Sequence, residues 1–256
     1  MMIDSEGVLR AMPVFEALSD AEIRELARHA QHREYRKNQV LFWDGDSVDR
    51  LFVVIDGWIK LYAVGDDGEA FIARMVSRGD IVGLTAICGK YECHSFNAEV
   101  AETAHLLEMP ASALRQVTIA NPSFQRVLLE LMQKKVQQQL EYRQVMLMSA
   151  PRRVGWLLLQ LSAKMKGNGG SFAFPYDRSV AAAELGMSPE TFSRSLSALE
   201  PATVSCRNSE IHIGDFHALF RYYRTGMTDA DATRVRRSGK CMRNDHDAGG
   251  MQGTQA

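Results

Sequence analysis

The spacing of apolar residues changes character twice along the chain. Over residues 8 to 31 it is helical: VLRAMPVFEAL is broken by Pro13, and Ser19-Asp20-Ala21-Glu22 then forms a capping box into IRELARHA. From Gln39 to Met109 it turns strand-like, with short runs rich in β-branched and aromatic residues: VLFW, RLFVVI, WIKLYAV, EAFIARMV and AHLLEM. Gly45, Gly57, Gly68 and Gly79 separate these runs at spacings of twelve, eleven and eleven residues. Regular turns between short alternating strands predict an antiparallel β-sandwich or roll, with Asp66-Asp67-Gly68 as a hairpin signal. Such a roll encloses a cavity, which leaves a sensor, a cupin-type metal site or a plain core open.

The helical period returns at Asn121-Pro122, a cap followed by proline at the first helical position. Leu129, Met132, Val136, Gln139, Arg143 and Met146 then follow three-four spacing, a coiled-coil seam that turns polar midway. A helix of about 28 residues would be about 42 Å long. That length suits a dimer interface, with Leu129, Met132, Val136 and Leu140 as its apolar contacts. Ala150-Pro151 marks a hinge, RRVGWLLLQLSAKM is amphipathic, and Gly167 to Gly170 form a loop.

Two short helices follow in DRSVAAAELGMSPETFSRSLSALE, residues 177 to 200. Asp177 can cap the first, whose Val180, Ala181, Ala182 and Leu185 lie on one side. Gly186 ends it, because glycine turns there at low steric cost. Ser188 is an N-cap and Pro189 opens the second helix. Phe192, Leu196 and Leu199 point inward on it, while Glu190, Ser193 and Arg194 point outward. Two helices joined by a tight glycine turn fit a helix-turn-helix. Ser188, Thr191, Glu190, Ser193 and Arg194 are its candidate DNA contacts, with Arg152 and Arg153 as phosphate contacts. TVSCRNSEIHI reads as a two-strand wing turning at Asn208-Ser209, and beyond Tyr223 the apolar content falls away.

The predicted class is α+β: an antiparallel β-roll over 1–120, a dimerisation helix over 121–150, a winged helix-turn-helix over 151–223, and a disordered tail over 224–256. Hydrophobic residues make up 46% and charged residues 24%, as in ordinary globular proteins. No apolar run reaches the roughly 18 residues that a membrane span needs, and no signal-peptide pattern opens the chain. Cys88, Cys93, Cys206 and Cys241 form no CxxC pair, which favours a reducing cytoplasm. A net charge of −1 argues against a non-specific nucleic-acid coat. A specific binder needs only a positive reading face, and residues 151–222 hold eight Lys/Arg against six Asp/Glu. The cupin alternative lacks its ligands: between Gln39 and Met109 there are only His94 and His105, with no HxH spacing. An enzyme is therefore not expected.

Capped roll, long helix and winged helix-turn-helix, in that order, resemble the Crp/Fnr superfamily of bacterial transcription regulators over about residues 8–222. The residues that carry the resemblance are LFWDGDSVDRLFVVIDGWIKLY, the GDIVG turn at Gly79–Gly83, NPSFQRVLLELM and SPETFSRSL. It implies a homodimer on a palindromic operator, RNA polymerase as a partner, and a roll that senses a small effector. Glu-x-x-Ser-Arg at Glu190, Ser193 and Arg194 is similar to the oxygen-regulator branch and implies a TTGAT-N4-ATCAA site. The cyclic-AMP branch has arginine before the glutamate and glycine before the later arginine, where this chain has Pro189 and Ser193.

The effector region departs from two branches. Cyclic-AMP-binding members carry Glu after the GDxxG turn and an Arg-Ser or Arg-Thr pair on the phosphate. Here those positions hold Leu84 and His94-Ser95, and a largely neutral imidazole is a poor phosphate cradle. Cyclic AMP is not expected. The N-terminal cysteine cluster that holds a [4Fe–4S] centre in oxygen-sensing members is absent as well, since the first cysteine is Cys88. Haem, another small molecule or thiol redox remain as sensing chemistries. SPETFSR is similar to nitric-oxide and nitrosative-stress regulators (Dnr/HcpR-like), several of which bind haem. On that resemblance Cys93 and His94, with Cys88, Ser95 and Leu84 around them, are candidate effector residues, and Cys93 and His94 candidate ligands of a haem b iron. Neither matches the ligand positions of the known CO-sensing haem regulator.

Overall fold

The computed structural model describes residues 4–84, 93–165, 170–207 and 210–228. Its contacts divide the chain into two compact units, Met1–Met146 with Pro175–Pro189, and Leu147–Phe174 with Glu190–Ala256.

The first unit opens with α1 (Ser5–Arg10), a 3-10 turn at Pro13–Phe15, and α2 (Asp20–His29). The expected capping box closes on both sides: Ser19 Oγ accepts from the Glu22 N–H, and the Glu22 carboxylate accepts from the Ser19 N–H. The roll follows as β1 (Gln31–Tyr35), β2 (Val40–Phe42), β3 (Arg50–Val64), β4 (Ala70–Ser77), β5 (Ile81–Val82) and β6 (Asn97–Pro110). All its pairings are antiparallel, in the order β1-β6-β3-β4, with β2 also on β6 and β5 also on β3.

Alternation along β3 and β6 feeds two cores. Phe52, Val54, Ala104 and Leu106 pack inside the roll with Phe42, Ile59 and Val100. Leu51, Val53, Leu107 and Met109 face the other way, onto Phe15, Ile23, Leu26, Leu114 and Phe124 of the helices. Burial on both faces explains why RLFVVI and AHLLEM read as near-continuous apolar runs. Gly57 lets β3 bend: it has φ +90°, and a Cβ there would stand 2.4 Å from the Thr103 carbonyl oxygen. The β3–β6 register shifts on either side of it.

After α3 (Ala111–Ala120), the long helix α4 (Pro122–Met146) starts where expected, with Asn121 Oδ1 accepting from the Phe124 N–H at 3.0 Å. Its 25 residues span about 38 Å. One face carries Phe124, Leu128 and Leu131 onto the unit's own core, where Phe15 and Phe124 stack at 6.1 Å. The other face leaves Leu129 71%, Val136 60% and Leu140 55% exposed. At 3.6 residues per turn these three fall within about 40° of one another. Met132, expected on the same seam, is half-buried against the core instead.

Residues 175–189 complete this unit. The helix α6 (Arg178–Glu184) begins after Asp177 as expected, but the Asp177 side chain does not cap it. Lys37 Nζ lies 2.9 Å from that carboxylate and takes it away from the helix end. Gly186 has φ +60°, and the Met187 N–H returns to the Ala182 carbonyl, the glycine turn read from the sequence.

The second unit packs α5 (Ala150–Lys164) against α8 (Phe216–Thr225), with Leu199 and Leu219 close to Gly155. The wing is three-stranded: β7 (Ser171–Ala173), β8 (Val204–Arg207) and β9 (Glu210–Ile213) pair in the order β7-β9-β8. β7 was not expected, because three residues show no period by themselves; it exists through its pairing with β9. The predicted turn at Asn208-Ser209 lies outside the described residues. The segment from 224 was expected to be tail, yet α8 reaches Thr225 before Gly226 ends it with φ +73°. Residues 229–256 of that predicted tail lie outside the described residues.

Candidate nucleic-acid interface and effector cavity

The helix α7 (Pro189–Ser197) has two sharply different faces. Phe192, Ser195, Leu196 and Leu199 are buried, with Phe192 edge-on to Phe174 at 5.7 Å. Glu190, Ser193, Arg194 and Ser197 are exposed, and Thr191 is intermediate between the faces. At 3.6 residues per turn the four exposed residues lie within an arc of about 100°, opposite the buried face. Arg194 Nη2 donates to Thr191 Oγ1 at 3.4 Å, a long bond that leaves the guanidinium on the surface. An exposed arginine fork, a carboxylate and hydroxyls on one face are the groups that read base edges in a major groove. Ser188, exposed, immediately precedes this helix.

Arg152 and Arg153, expected at phosphates, differ from one another. Arg152 Nε and Nη2 donate to the carbonyls of Tyr223 and Arg224, both at 2.8 Å. Its guanidinium therefore closes the C-terminal end of α8, where helix carbonyls lack partners. Arg153 is half-buried on the same helix.

The residues expected around the effector separate. His94 is buried and stacks flat on Phe42, with ring centroids 3.4 Å apart at 10°. Its backbone is fixed by Asp46 and Gly45, the His94 N–H donating to Asp46 O and the Gly45 N–H to His94 O. Burial pushes the imidazole below its ordinary pKa, against the opposing pull of Asp46 and Asp49. The ring borders a cleft of about 360 Å³, together with Asp46, Asp49, Arg50 and Phe52. Arg50 is held at its rim by Glu108, whose carboxylate is 2% exposed and also accepts from Tyr35 at 2.5 Å. Burial and that carboxylate hold the Tyr35 hydroxyl well above the usual phenol range. Arg50, Glu108, Asp46 and Asp49 were not singled out from the sequence. Glu108 carried a signal, a carboxylate inside the apolar run AHLLEM.

Cys93 does not join His94. It is exposed, bridges to Ser47 in the backbone ladder, and precedes a buried residue in extended chain, where neighbours point to opposite faces. The expected Cys93–His94 ligand pair therefore does not converge on one iron. Among the described residues, no group of three or more His, Cys, Asp or Glu is placed to hold a metal ion. Ser95 is exposed, and Cys88 lies outside the described residues. Leu84 is buried in the core against the helices and lines a different cavity, while its neighbour Gly83 lies against the His94 ring, where an added Cβ would stand 3.4 Å from His94 Cε1. No helix among the described residues is long and apolar enough to cross a membrane.

Comparison with known proteins agrees with this division of labour. Residues 32–121 match the cyclic nucleotide-binding domain family, and residues 152–222 match the Crp-like helix-turn-helix domain family. Together they span more than half of the chain. The chain is 27% identical to the transcriptional activator protein Anr of Pseudomonas protegens, covering 72% of this chain and 76% of that protein. It is 28% identical to the anaerobic regulatory protein of Haemophilus influenzae, covering 82% and 84%. Among solved structures, FixK2 from Bradyrhizobium japonicum superposes with a TM-score of 0.68 at 21% identity, over 75% of this chain and 96% of that one. An antiparallel roll, a long helix and an exposed reading helix in a Crp-like DNA-binding domain therefore make this chain a member of the Crp/Fnr family of DNA-binding transcription regulators.

Proposed function

We propose that the protein is a cytoplasmic homodimeric regulator that binds a TTGAT-N4-ATCAA-like palindrome, contacts RNA polymerase there, and responds to a small effector in its roll. The observation that carries the operator is the exposed face of α7. Glu190 can accept from cytosine N4, and Arg194 can donate two bonds to guanine O6 and N7. The exposed stripe of Leu129, Val136 and Leu140 supports the dimer, because an isologous contact along α4 matches a twofold operator. Half-sites one helical turn apart need recognition helices about 34 Å apart. Selection from random duplexes tests the operator: TTGAT half-sites are expected, and TGTGA-type half-sites would overturn the assignment.

The effector of the His94 cleft is not a cyclic nucleotide in this proposal. A cyclic phosphate would meet Asp46, Asp49 and a neutral imidazole, while Arg50 is already engaged by Glu108. Micromolar calorimetric binding of cyclic AMP would overturn this. Haem b answering nitric oxide is the second reading, and its support is the neutral imidazole of His94 at the cleft. A haem titration that produces no Soret band removes it.

A further inference from the structure

The cavity lined by Leu84 is a second site, separate from the His94 cleft. It has a volume of about 220 Å³ and lies between the 3-10 turn at Val14, the GDIVG turn and the middle of α4. Its chemistry is divided. Val14, Leu84 and Leu131 supply apolar surface, while Arg74, Lys134 and Lys135 supply cations. Asp80 is the opposing carboxylate, and it is bound to Arg74 at 3.1 Å and to the Ser77 N–H at 3.0 Å. Arg74 is thus already neutralised, whereas Lys134 has no ion-pair partner among the described residues. On α4 the lining runs from apolar Leu131 past the cations of Lys134 and Lys135 to the neutral amide of Gln138, a rise of about 10 Å.

We propose that this cavity binds a small organic anion with an apolar body, of the class of a medium-chain monocarboxylate. The apolar wall takes the hydrocarbon, and Lys134 meets the carboxylate while its stem extends along the apolar surface. The volume lies below the 300–1,000 Å³ typical of drug-sized ligands, which restricts the body to a few carbons. The site deepens the effector-responsive reading and rests on it for its purpose. Its α4 residues lie on the side of the helix away from Leu129, Val136 and Leu140, so an occupant wedges between the GDIVG turn and the helix that carries the exposed stripe.

Calorimetry on the purified full-length protein, without DNA, tests the site with hexanoate, 1-hexanol, acetate and inorganic phosphate. Hexanoate is expected to bind at least tenfold more tightly than each of the other three, because only hexanoate has both body and charge. Lys134→Glu, an exposed change on α4, is expected to weaken hexanoate at least tenfold, and Val14→Trp to abolish binding by filling the cavity. Circular dichroism confirms that both variants remain folded; if Val14→Trp does not fold, Lys134→Glu alone decides. Hexanoate no tighter than acetate or 1-hexanol, phosphate bound as well as hexanoate, or Lys134→Glu with unchanged affinity would each overturn the proposal. Hexanoate binding by a protein that selects no operator would leave this site standing and remove the operator assignment instead.

Discussion

Val136→Asp is the sharpest test of how the protein assembles. The residue is 60% exposed on α4 and lies on the stripe with Leu129 and Leu140. Complete burial of a valine or leucine side chain contributes about 1.5–3 kcal/mol, so covering the exposed share contributes about 1–2 kcal/mol. A twofold contact counts the change twice, which gives about 2–4 kcal/mol lost. Two facing carboxylates add a desolvation and repulsion cost. At about 1.4 kcal/mol per tenfold, the dimer should dissociate roughly 30-fold to several hundred-fold more readily. Sedimentation equilibrium across a concentration series measures this directly, and circular dichroism checks that the helices persist. Leu140→Asp should behave alike. Met132→Asp should differ, because Met132 packs on its own protomer's core and its substitution lowers fold stability as well as association. If Val136→Asp and Leu140→Asp both remain dimeric with unchanged dissociation constants, the exposed stripe is not the interface.

Arg194→Ala should weaken operator binding by about 1–3 kcal/mol per half-site and relax preference at one G·C pair, read by competition gel shifts with single-base variants. Arg152→Ala should instead lower the stability of the DNA-binding unit while leaving base preference unchanged, since its guanidinium holds the Tyr223 and Arg224 carbonyls. Gly57→Ala should cost about 3 kcal/mol or more in urea unfolding, because φ +90° is strained for alanine and its Cβ would meet backbone. His94 is neutral when folded and binds its proton more readily when unfolded, so it makes stability fall as pH drops below about 6.5. His94→Phe, which keeps an aromatic ring on Phe42, should flatten that part of the stability–pH curve in denaturation series between pH 7 and 5.

Three local signals were legible in the chain. Capping of α2 by Ser19 and Glu22, capping of α4 by Asn121, and the turn at Gly186 each involve groups within five residues. Asn121 also donates to the Glu22 carboxylate from 99 residues away, but each capping bond stays in place, so local spacing was enough to read them. The two faces of α7 followed for the same reason: period 3.6 separates Phe192 and Leu196 from Glu190 and Arg194 whatever surrounds the helix. The apolar runs of the roll were legible too, with three corrections: RLFVVI and WIKLYAV form one strand through Gly57, where a turn was expected, β5 lies inside the GDIVG turn, and β1, whose QHREY is too polar to alternate, becomes a strand through pairing with β6.

Tertiary structure decided what spacing could not carry. Asp177 occupies a cap position, but Lys37 from a distant part of the chain holds its carboxylate at 2.9 Å. Arg152 looked available for phosphate until α8 brought two carbonyls to it. The seven-residue seam put Met132 with Val136, yet a helix packed on one side divides such a stripe by the position of its neighbour, and Met132 falls on the inner half. The effector region was legible as a place and not as a site. Adjacent positions such as Cys93 and His94 diverge in extended chain, while Arg50 and Glu108, 58 residues apart, converge only when β3 and β6 pair. Sequence fixes contacts that one helical turn or one hairpin can close; a cavity is the space between elements, and only their packing defines its walls and charge.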